Sequence, residues 1–496
     1  MRTPVLAAFA VALAIPAVAR AQDVAAAPAS GAPLTLDDAI SLARRNNPTF
    51  LSIANNRRTA DAAIRSARGA FLPSADASFG ARYQQGGTQV FNGLNFSNSS
   101  ATRQSNYSLN LGYRINSATF VQPRAARANR DAVDADITGN AEQLRAAVTQ
   151  QYLTVLQAQA RSALQDTLVN TARTQLDLAK AKVAVGSGTV LDVRRAEVGL
   201  GQAQVALLKE RNAVDVEKLR LFQQMGVDQA PGVALTTEFR IDPPSFTLEQ
   251  LLDLARRQNP AIVALRSRER AAELNTKVAK AEYTPTLSLS TGWGGNSYQY
   301  TDPEYLVNQA RNGTLASQAG CFQQDSIRLR VGLPSADCNG APYQFTDAQA
   351  AAIRDRNSQF PFRFQRSPLA FAASLSIPIF DNFNREERVQ RAEVEREDAM
   401  YGVRAKDLAL TADVTQAYLT VTTGLQTVAL QEQNATKAKE ELFYAEERYK
   451  VGIATFLDVI TSRGTYEQAL IDRVNAIYDY HKAFAALENA VGRPLR

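Results

Sequence analysis

The sequence predicts a mainly α-helical fold with some β-strand, built from two copies of one plan within a chain of 496 residues. Three observations lead to this fold class. A nine-residue phrase occurs twice, the segments around it repeat in the same order, and the stretches that flank it are long and helical in pattern. Repetition at fixed offsets indicates a tandem duplication rather than a series of unrelated domains.

The repeated phrase is V-G-x-x-T-x-L-D-V, and its copies are Val185–Val193 and Val451–Val459. In each copy a glycine can end one helix, and a threonine followed three residues later by an aspartate can start the next one as a capping box. The phrase therefore predicts the turning points of two long antiparallel helical hairpins, over about residues 118–226 and 385–492.

Other segments define the extent of the duplication. The run Ala43–Pro48 returns as Ala255–Pro260 at an offset of 212, and Tyr152–Val155 returns as Tyr418–Val421 at an offset of 266. We therefore predict a first repeat over residues 22–232 and a second over 233–496. The difference between the offsets leaves about 54 additional residues in the second repeat, which we interpret as an inserted loop between its strands.

The N-terminus has the pattern of a signal peptide over residues 1–21. Met1–Arg2 is a short charged region, Val5–Val18 is apolar, and Ala19–Ala21 is a small-x-small cleavage site. The chain is thus expected to be exported. Elsewhere the sequence has no run of about 18 apolar residues, so a membrane-spanning part is expected to consist of strands rather than helices.

Four segments alternate between apolar and polar residues with a period of two, which predicts β-strands. They cover about residues 73–85, 105–116, 285–298 and 369–380, and the Gly/Asn/Ser-rich stretch Gln84–Ser105 is expected to be an exposed loop. Strands of this length and alternation are typical of outer-membrane barrels, but the smallest such barrels have about eight strands. The strands would therefore be shared between chains, or they belong to a soluble, half-buried sheet.

The helical stretches at about 118–185 and 385–451 would each be on the order of 100 Å long. After the first turn, one apolar series recurs every seven residues, and a second series runs beside it, at Leu191, Val198, Val205 and Leu219. A seven-residue repeat predicts left-handed supercoiling. Two series indicate a helix that packs on both sides, as in the wall of a helical barrel, whereas a two-stranded antiparallel coiled coil needs one.

Taken together, the duplicated order of elements and the V-G-x-x-T-x-L-D-V turn resemble the TolC family of bacterial outer-membrane efflux and secretion channels. The resemblance implies a homotrimer in which the hairpins form a periplasmic α-barrel tunnel and each chain contributes four strands to a shared outer-membrane β-barrel. It also implies a periplasmic adaptor (membrane fusion) protein, an inner-membrane transporter and outer-membrane lipid as partners, with no cofactor and no enzymatic activity. The alternative is an exported structural or adhesive coiled-coil protein without a pore.

The resemblance further implies a gate at the helix turns. Asp458 falls where family members have an acidic ring, Asp192 is its counterpart in the first repeat, and Tyr449 falls where a tyrosine braces the closed state. Ala454 and Thr461 depart from the family pattern, because some members have polar gate residues there. Both aspartates can equally serve as helix caps, since a carboxylate is favoured at a helix N-terminus.

Three other residues, Cys321, Cys338 and His481, have side chains that could take part in chemistry. Cys321 and Cys338, the two cysteines of the chain, lie in the insertion, and a disulfide is expected between them because the chain is exported. The single histidine, His481, is expected to be a packing or surface residue, and no metal-ligand spacing occurs. The net charge of +6 is scattered, so no nucleic acid is expected as a partner.

Overall fold

The computed structural model describes residues 33–91, 94–229, 232–237 and 239–495, and the expected signal peptide lies outside these ranges. The mainly α-helical fold with a smaller β component is confirmed. The helices are α1 (Leu36–Asn46), α2 (Pro48–Gly69), α3 (Ser117–Ala184), α4 (Val190–Met225), α5 (Leu248–Gln258), α6 (Pro260–Lys280), α7 (Pro303–Arg330), α8 (Asp347–Asn357), α9 (Asn384–Lys450) and α10 (Phe456–Val491).

The strands are β1 (Pro33–Leu34), β2 (Ser74–Gln84), β3 (Gly87–Phe91), β4 (Leu94–Ser99), β5 (Thr102–Ile115), β6 (Ala234–Leu235), β7 (Thr286–Tyr300), β8 (Gln365–Arg366) and β9 (Ala370–Ser376). The chain forms two compact units. A helical unit contains the described residues up to 64 together with 124–274 and those from 392 onward, and a strand unit contains 65–123 and 275–391. Each unit therefore draws on both predicted sequence repeats.

In the helical unit, side-chain contacts order the long helices as α4, α3, α10 and α9. Helices α3 and α4 are joined by Gln151, whose Nε2 donates to the carbonyl oxygen of Glu217 at 3.0 Å. Helices α3 and α10 are joined by the Arg161 Nε to Asn475 Oδ1 hydrogen bond of 2.8 Å. The Ser462 hydroxyl donates to Glu441 Oε1 at 3.0 Å and joins α10 to α9. The two hairpins thus lie side by side as one layer of four helices.

Two apolar clusters of the helical unit occupy equivalent positions of the two repeats. In the first, α1 packs on α3 and α4; in the second, α5 packs on α9 and α10. The equivalent buried pairs are Ala43 and Ala255, Val148 and Val414, Val155 and Val421, and Leu221 and Leu487. The short amphipathic helices are therefore held by burial of one apolar face against a long hairpin, which is the main source of helix stability in proteins.

Each cluster ends at a corner where an Asn-Pro turn meets a glycine. Asn47 Nδ2 donates to the Gln224 carbonyl oxygen at 2.8 Å, and the equivalent Asn259 donates to the Ala490 carbonyl oxygen at 2.9 Å. The adjacent glycine in the first corner, Gly226, has a φ of 72°. A Cβ on that glycine would lie 2.5 Å from the Asn46 carbonyl oxygen, so a residue with a side chain does not fit.

The main sheet of the strand unit has the antiparallel order β2, β5, β7 and then β8 and β9 along the same edge of β7. One face is polar: the hydroxyls of Ser78 and Ser108 are 2.8 Å apart, and Asn110 Nδ2 donates to Asp76 Oδ2 at 3.0 Å. The opposite face is apolar and largely exposed, with Phe79, Leu109, Trp293, Phe371 and Leu375 each more than a third exposed. The alternation predicted from the sequence is present in this register.

Three features differ from the sequence predictions. The stretch Gln84–Ser105, predicted to be a loop, contains the β3–β4 hairpin. The last strand, predicted to reach residue 380, ends at Ser376 because Pro378 has no N–H to donate to a sheet. The insertion, predicted to be a loop, contains α7 and α8, since Asp302 caps the first helix and Pro303 occupies its first turn.

Among the described residues, no helix is long and apolar enough to cross a membrane.

Candidate functional site at the helix turns

The two copies of the repeated phrase end their helices in the same way. In the first copy the Ser187 N–H donates to the Lys182 carbonyl oxygen at 2.9 Å, and the Gly186 N–H donates to the Val183 carbonyl oxygen at 3.0 Å. This pair of bonds is a Schellman motif, which requires a residue in the left-handed region. Gly186 meets that requirement with a φ of 76°.

The second copy repeats this geometry after α9. Ile453 N–H donates to the Arg448 carbonyl oxygen at 3.0 Å, Gly452 N–H donates to the Tyr449 carbonyl oxygen at 3.2 Å, and Gly452 has a φ of 81°. Glycine is the residue that adopts this conformation without steric cost. The V-G pair of the phrase therefore ends both helices by the same backbone hydrogen bonds.

Both following helices begin with a complete capping box. The Thr189 hydroxyl accepts from the Asp192 N–H at 3.1 Å, and Asp192 Oδ2 accepts from the Thr189 N–H at 3.1 Å. In the second copy the Asp458 N–H donates to the Thr455 hydroxyl at 3.3 Å, and Asp458 Oδ2 accepts from the Thr455 N–H at 2.8 Å. Both aspartates are thus helix caps, which the sequence left open alongside a gating role.

The second carboxylate is exposed to solvent, whereas the first is half-buried. The backbone and hydroxyl hydrogen bonds from Thr455, aided by the charge of Arg448, lower the pKa of Asp458 below its usual value. The carboxylate is ionised at neutral pH, as an aspartate ordinarily is, and the cap extends its ionised range to lower pH. A charge held at a fixed position at the tip of a hairpin is what an electrostatic ring would require.

Tyr449 lies between the two hairpins of the chain. It packs with Phe456, their ring centroids 5.6 Å apart, beside buried residues of the first hairpin that include Leu176 and Ala196. Burial and the charge of Asp192 raise the pKa of the Tyr449 phenol, so the hydroxyl is protonated at neutral pH. Tyr449 and Asp192 thus come from different repeats and lie close enough to interact.

One contact at this tyrosine was not predicted from the sequence. The Lys182 Nζ lies over the Tyr449 ring, 3.6 Å from its centroid, which is a cation–π contact between α3 and α9. Lys182 is in the last turn of α3, and its sequence position carries no pattern that indicates this partner. The contact places a cation beside Tyr449 although Ala454 supplies none.

A second link between the hairpins is made by Arg463 on α10. Its guanidinium donates to Gln175 Oε1 and to the Leu168 carbonyl oxygen of α3, and it pairs with Glu467 at 2.5 Å. It lies seven residues before Leu470, in an apolar series of α10 that recurs every seven residues through Ile477, Phe484 and Val491. A charged residue at a position of a buried series is the sequence signal that could have identified it.

The two departures from the family pattern have different surroundings. Thr461 donates its hydroxyl to the Leu457 carbonyl oxygen of its own helix at 2.9 Å, so its side chain is satisfied within α10. Ala454 is half-buried in the turn and has no polar side-chain atom. The polar contacts found beside the turn instead come from Lys182 and Arg463.

The remaining candidate residues lie elsewhere. Cys321 on α7 and Cys338 form a disulfide within the insertion. His481 is buried, and its ring lies 5.4 Å from those of Phe239 and Tyr480, which is a packing position. In the part of the chain that the structure describes, no cluster of three or more His, Cys, Asp or Glu side chains could hold a metal ion.

Comparisons with known proteins agree with this architecture. The family model of the outer membrane efflux protein family matches residues 39–227 and 346–493. The outer membrane protein TolC of Vibrio cholerae serotype O1 is 21% identical over 459 residues, which are 91% of this chain and 89% of that protein. Protein CyaE of Bordetella pertussis is 25% identical over 401 residues, or 78% of this chain and 68% of that protein.

Solved structures share the fold at low sequence identity. The crystal structure of the transmembrane channel CusC superposes with a TM-score of 0.70 at 15% identity, covering 94% of each chain. The open state of the MtrE outer membrane channel of Neisseria gonorrhoeae superposes with a TM-score of 0.66 at 17% identity, covering 93% of this chain and 89% of that one.

Proposed function

Because the chain belongs to the outer membrane efflux protein family, we infer that it is the exit duct of an export system and is built as a homotrimer. It is an outer-membrane channel protein, and its transport is passive. A periplasmic adaptor protein and an inner-membrane transporter would load cargo at the helix turns, and energy would come from that transporter. The proposal gives the chain no catalytic role and no cofactor.

The observation that carries the trimer is the pair of exposed edges of the four-helix layer. The second apolar series of α4, comprising Leu191, Val198, Val205 and Leu219, is more than half exposed at each position. On α9, at the other edge, Leu408, Leu419 and Leu430 are also more than half exposed. A heptad series needs a partner helix, and the α9 edge of a second copy offers an apolar surface for it.

The same reasoning applies to the sheet. Its apolar face is exposed, and its two outer strands, β2 and β9, end the order of strands in one chain. Three copies joined edge to edge would pair these strands, place the apolar face toward lipid and leave the polar face toward the interior. Four strands from each chain then suffice, because pairing between copies removes the open edges.

We further propose that the helix turns form the gate. Three copies of Asp458 would make a ring of negative charge that attracts cations, and Asp192 would contribute from the first hairpin. Tyr449, braced by Lys182, would hold the two hairpins of each chain in the closed arrangement. Opening would separate the two hairpins of each chain. It would break the contact of Lys182 with Tyr449 and the hydrogen bonds of Arg463 to α3.

Single-channel recording of the purified, detergent-extracted oligomer in a planar bilayer tests this function. The expected result is a small, cation-selective conductance that is blocked by multivalent cations. An oligomer that inserts but carries no current would favour the alternative of an exported structural or adhesive coiled-coil protein.

A further inference from the structure

The insertion between β7 and β9, residues 302–364, wraps around one edge of the sheet. It starts at the end of β7 that is remote from Thr286, and it ends just before β8, which pairs with Gly295 and Asn296. The helix-connected ends of β2, β5, β7 and β9 lie together at the other end of the sheet, as their register shows. The insertion therefore belongs to the end of the sheet that is remote from those connections.

The register between β5 and β7 shows on which face of the sheet helices α7 and α8 of the insertion lie. Tyr298 and Tyr300 pair with Gln104 and Thr102, and they alternate in step with Asn296, which pairs with Asn106. Since successive side chains of a strand point to opposite faces, both tyrosines are on the polar face of the sheet.

Helices α7 and α8 pack at these tyrosines. A cavity of about 440 Å³ is lined by Tyr298 and Tyr300 together with Leu306 and Ala310 of α7 and Ile353 of α8. The Tyr300 and Tyr305 rings are 5.2 Å apart. The two helices of the insertion therefore cover the polar face at this end of the sheet.

The chain then crosses the edge of β7 to the other face. Asn357, the last residue of α8, donates to the Tyr300 carbonyl oxygen at 2.9 Å and accepts from the Tyr300 N–H at 2.8 Å, as a paired strand residue would. Beyond it, Phe364 lies 4.8 Å from the Tyr107 ring and 6.4 Å from the Phe79 ring, on the apolar face. The insertion is thus attached to both faces.

Internal links make the insertion a defined body. Arg354 of α8 makes two hydrogen bonds to the Glu304 carboxylate of α7, at 2.7 and 3.1 Å, and the disulfide ties α7 to the segment that follows it. Asp325 accepts from the Ala336 N–H at 2.6 Å and from the Ser335 hydroxyl at 2.9 Å. Bidentate Arg–carboxylate pairs are geometrically specific, so α7 and α8 keep one arrangement.

We propose that α7 and α8 are a constriction at the exit mouth of the duct that limits the size of the solutes that pass. This rests on the proposed function, because a closed trimer with its polar faces inward would hold three copies of the α7–α8 pair inside the mouth. The constriction is separate from the gate at the helix turns, and the described part of the first repeat has the β3–β4 hairpin between β2 and β5 in place of these helices.

Polymer exclusion in a planar bilayer tests the proposal on the full-length oligomer. Polyethylene glycols of graded size are added to one side at a time, and the largest polymer that lowers the conductance gives the size of that entrance. The test variant replaces residues 303–356 by a short Gly-Ser turn, which can close the gap because Asn357 is hydrogen-bonded to Tyr300. The size limit should rise from the sheet side and stay unchanged from the turn side.

A second measurement does not depend on that deletion. In a Cys321→Ser, Cys338→Ser background, Leu315→Cys places a thiol on the exposed face of α7. Modification with a polyethylene glycol maleimide should lower the conductance for Leu315→Cys and leave that of the cysteine-free background unchanged.

The outcomes separate the two proposals. A conducting oligomer whose size limit from the sheet side is the same with and without the helices, or whose conductance ignores the Leu315→Cys label, overturns the constriction and leaves the duct intact. The absence of any current from the unmodified oligomer overturns the duct itself and the constriction with it.

Discussion

The aspartates of the repeated turn combine two roles in one carboxylate. Asp458 Oδ2 accepts from the backbone and the hydroxyl of Thr455, at 2.8 Å in both cases, and these bonds cap α10 and lower the pKa of the carboxylate. A substitution that removes the carboxylate therefore removes a cap and a charge at once. The two roles can be separated because asparagine keeps the acceptor oxygen and loses the charge.

We predict that Asp458→Asn raises single-channel conductance and weakens block by multivalent cations, since the charge is what attracts them. Asp458→Ala should do the same and also lower the thermal stability of the helix through the lost cap. Bilayer recording measures the first effect and thermal unfolding measures the second. An unchanged conductance and block in Asp458→Asn would leave this residue as a cap alone.

A pH series provides the control for this prediction. Because the pKa of Asp458 is lowered in the folded chain, its charge and the cation block should persist on acidification from pH 7 to about pH 4, near the ordinary pKa of an aspartate. The contribution of the Asp458 cap to folding stability depends on pH in the same direction. It is fully present above the pKa of this aspartate in the unfolded chain, and it is lost as the pH falls through the pKa in the folded chain. Block that disappears between pH 6 and 5 would point to a different group.

Lys182 is a second residue-scale feature beside the helix turns. Its ammonium lies over the Tyr449 ring, and a partly exposed contact of this kind contributes about 0.5–1 kcal/mol. We predict that Lys182→Gln shifts the closed-to-open equilibrium by roughly two- to five-fold toward the open state, an effect of that free energy. Lys182→Arg keeps a cation and should behave like the unmodified chain.

The open probability in bilayer recordings measures the effect of Lys182. The exposed Lys180, two residues earlier on α3, offers a matched control because Lys180→Gln removes the same charge from another side of the helix. Equal effects of Lys180→Gln and Lys182→Gln would assign the result to net charge rather than to the ring contact.

At the scale of elements, each repeat has an Asn-Pro turn and, far along the sequence, a glycine at the end of a long helix. The two meet at the corner of the apolar cluster, which explains why both occur in both repeats. The Asn side chain bonds to the end of the long helix, and the glycine lets the backbone approach the corner closely. Gly226 and Gly186 share the left-handed conformation, but a Cβ at Gly186 would meet no atom within 4 Å. Gly186 thus needs only its conformation, whereas Gly226 also needs its lack of a side chain.

We predict that Gly226→Ala is more destabilising than Gly186→Ala. Both variants incur the left-handed penalty of about 1–2 kcal/mol, and Gly226→Ala adds the clash with the Asn46 carbonyl group. The midpoint of thermal unfolding followed by circular dichroism measures the difference. Equal midpoints would show that the corner can move away from a methyl group.

At the scale of the whole molecule, the helical layer has interior and edge helices. The seven-residue apolar series of α10, Leu470, Ile477, Phe484 and Val491, is buried or half-buried between α3 and α9, whereas the second series of α4 is exposed. An exposed heptad series has an unsatisfied hydrophobic surface, and burial of apolar surface is the main driving force of association. We therefore expect the exposed apolar series of α4 to drive the association of copies of the chain.

We predict that Val198→Asp together with Val205→Asp prevents trimer formation, because charges would be placed in the seam between copies. Gln204→Asp, on the same helix and exposed, is a control that adds a negative charge on a different face from the series. Native mass spectrometry of the extracted protein measures the oligomeric state. A trimer in the double variant would contradict the proposed seam.

The local signals that the sequence predicted well act over a few residues. The capping boxes of Thr189 and Thr455, the glycine ends of α3 and α9 and the alternation of β5 all depend on spacings that neighbouring residues enforce by themselves. The duplication further predicted which segments of the first repeat are equivalent to which segments of the second. The insertion was predicted only from the difference between the repeat offsets, which gives its length and not its structure; Gly313 and Gly320 lower helix propensity, yet α7 continues through both.

The sequence alone determined the two hairpins, the turns between them and the two faces of the sheet, because periodicity and capping are properties of short segments. Only the tertiary structure decided that Lys182 faces Tyr449, that Arg463 reaches α3, and that α7 and α8 cover the polar face. Each of these depends on the register between segments that are distant along the chain. That register is set by the packing of whole faces, which no single residue pattern specifies.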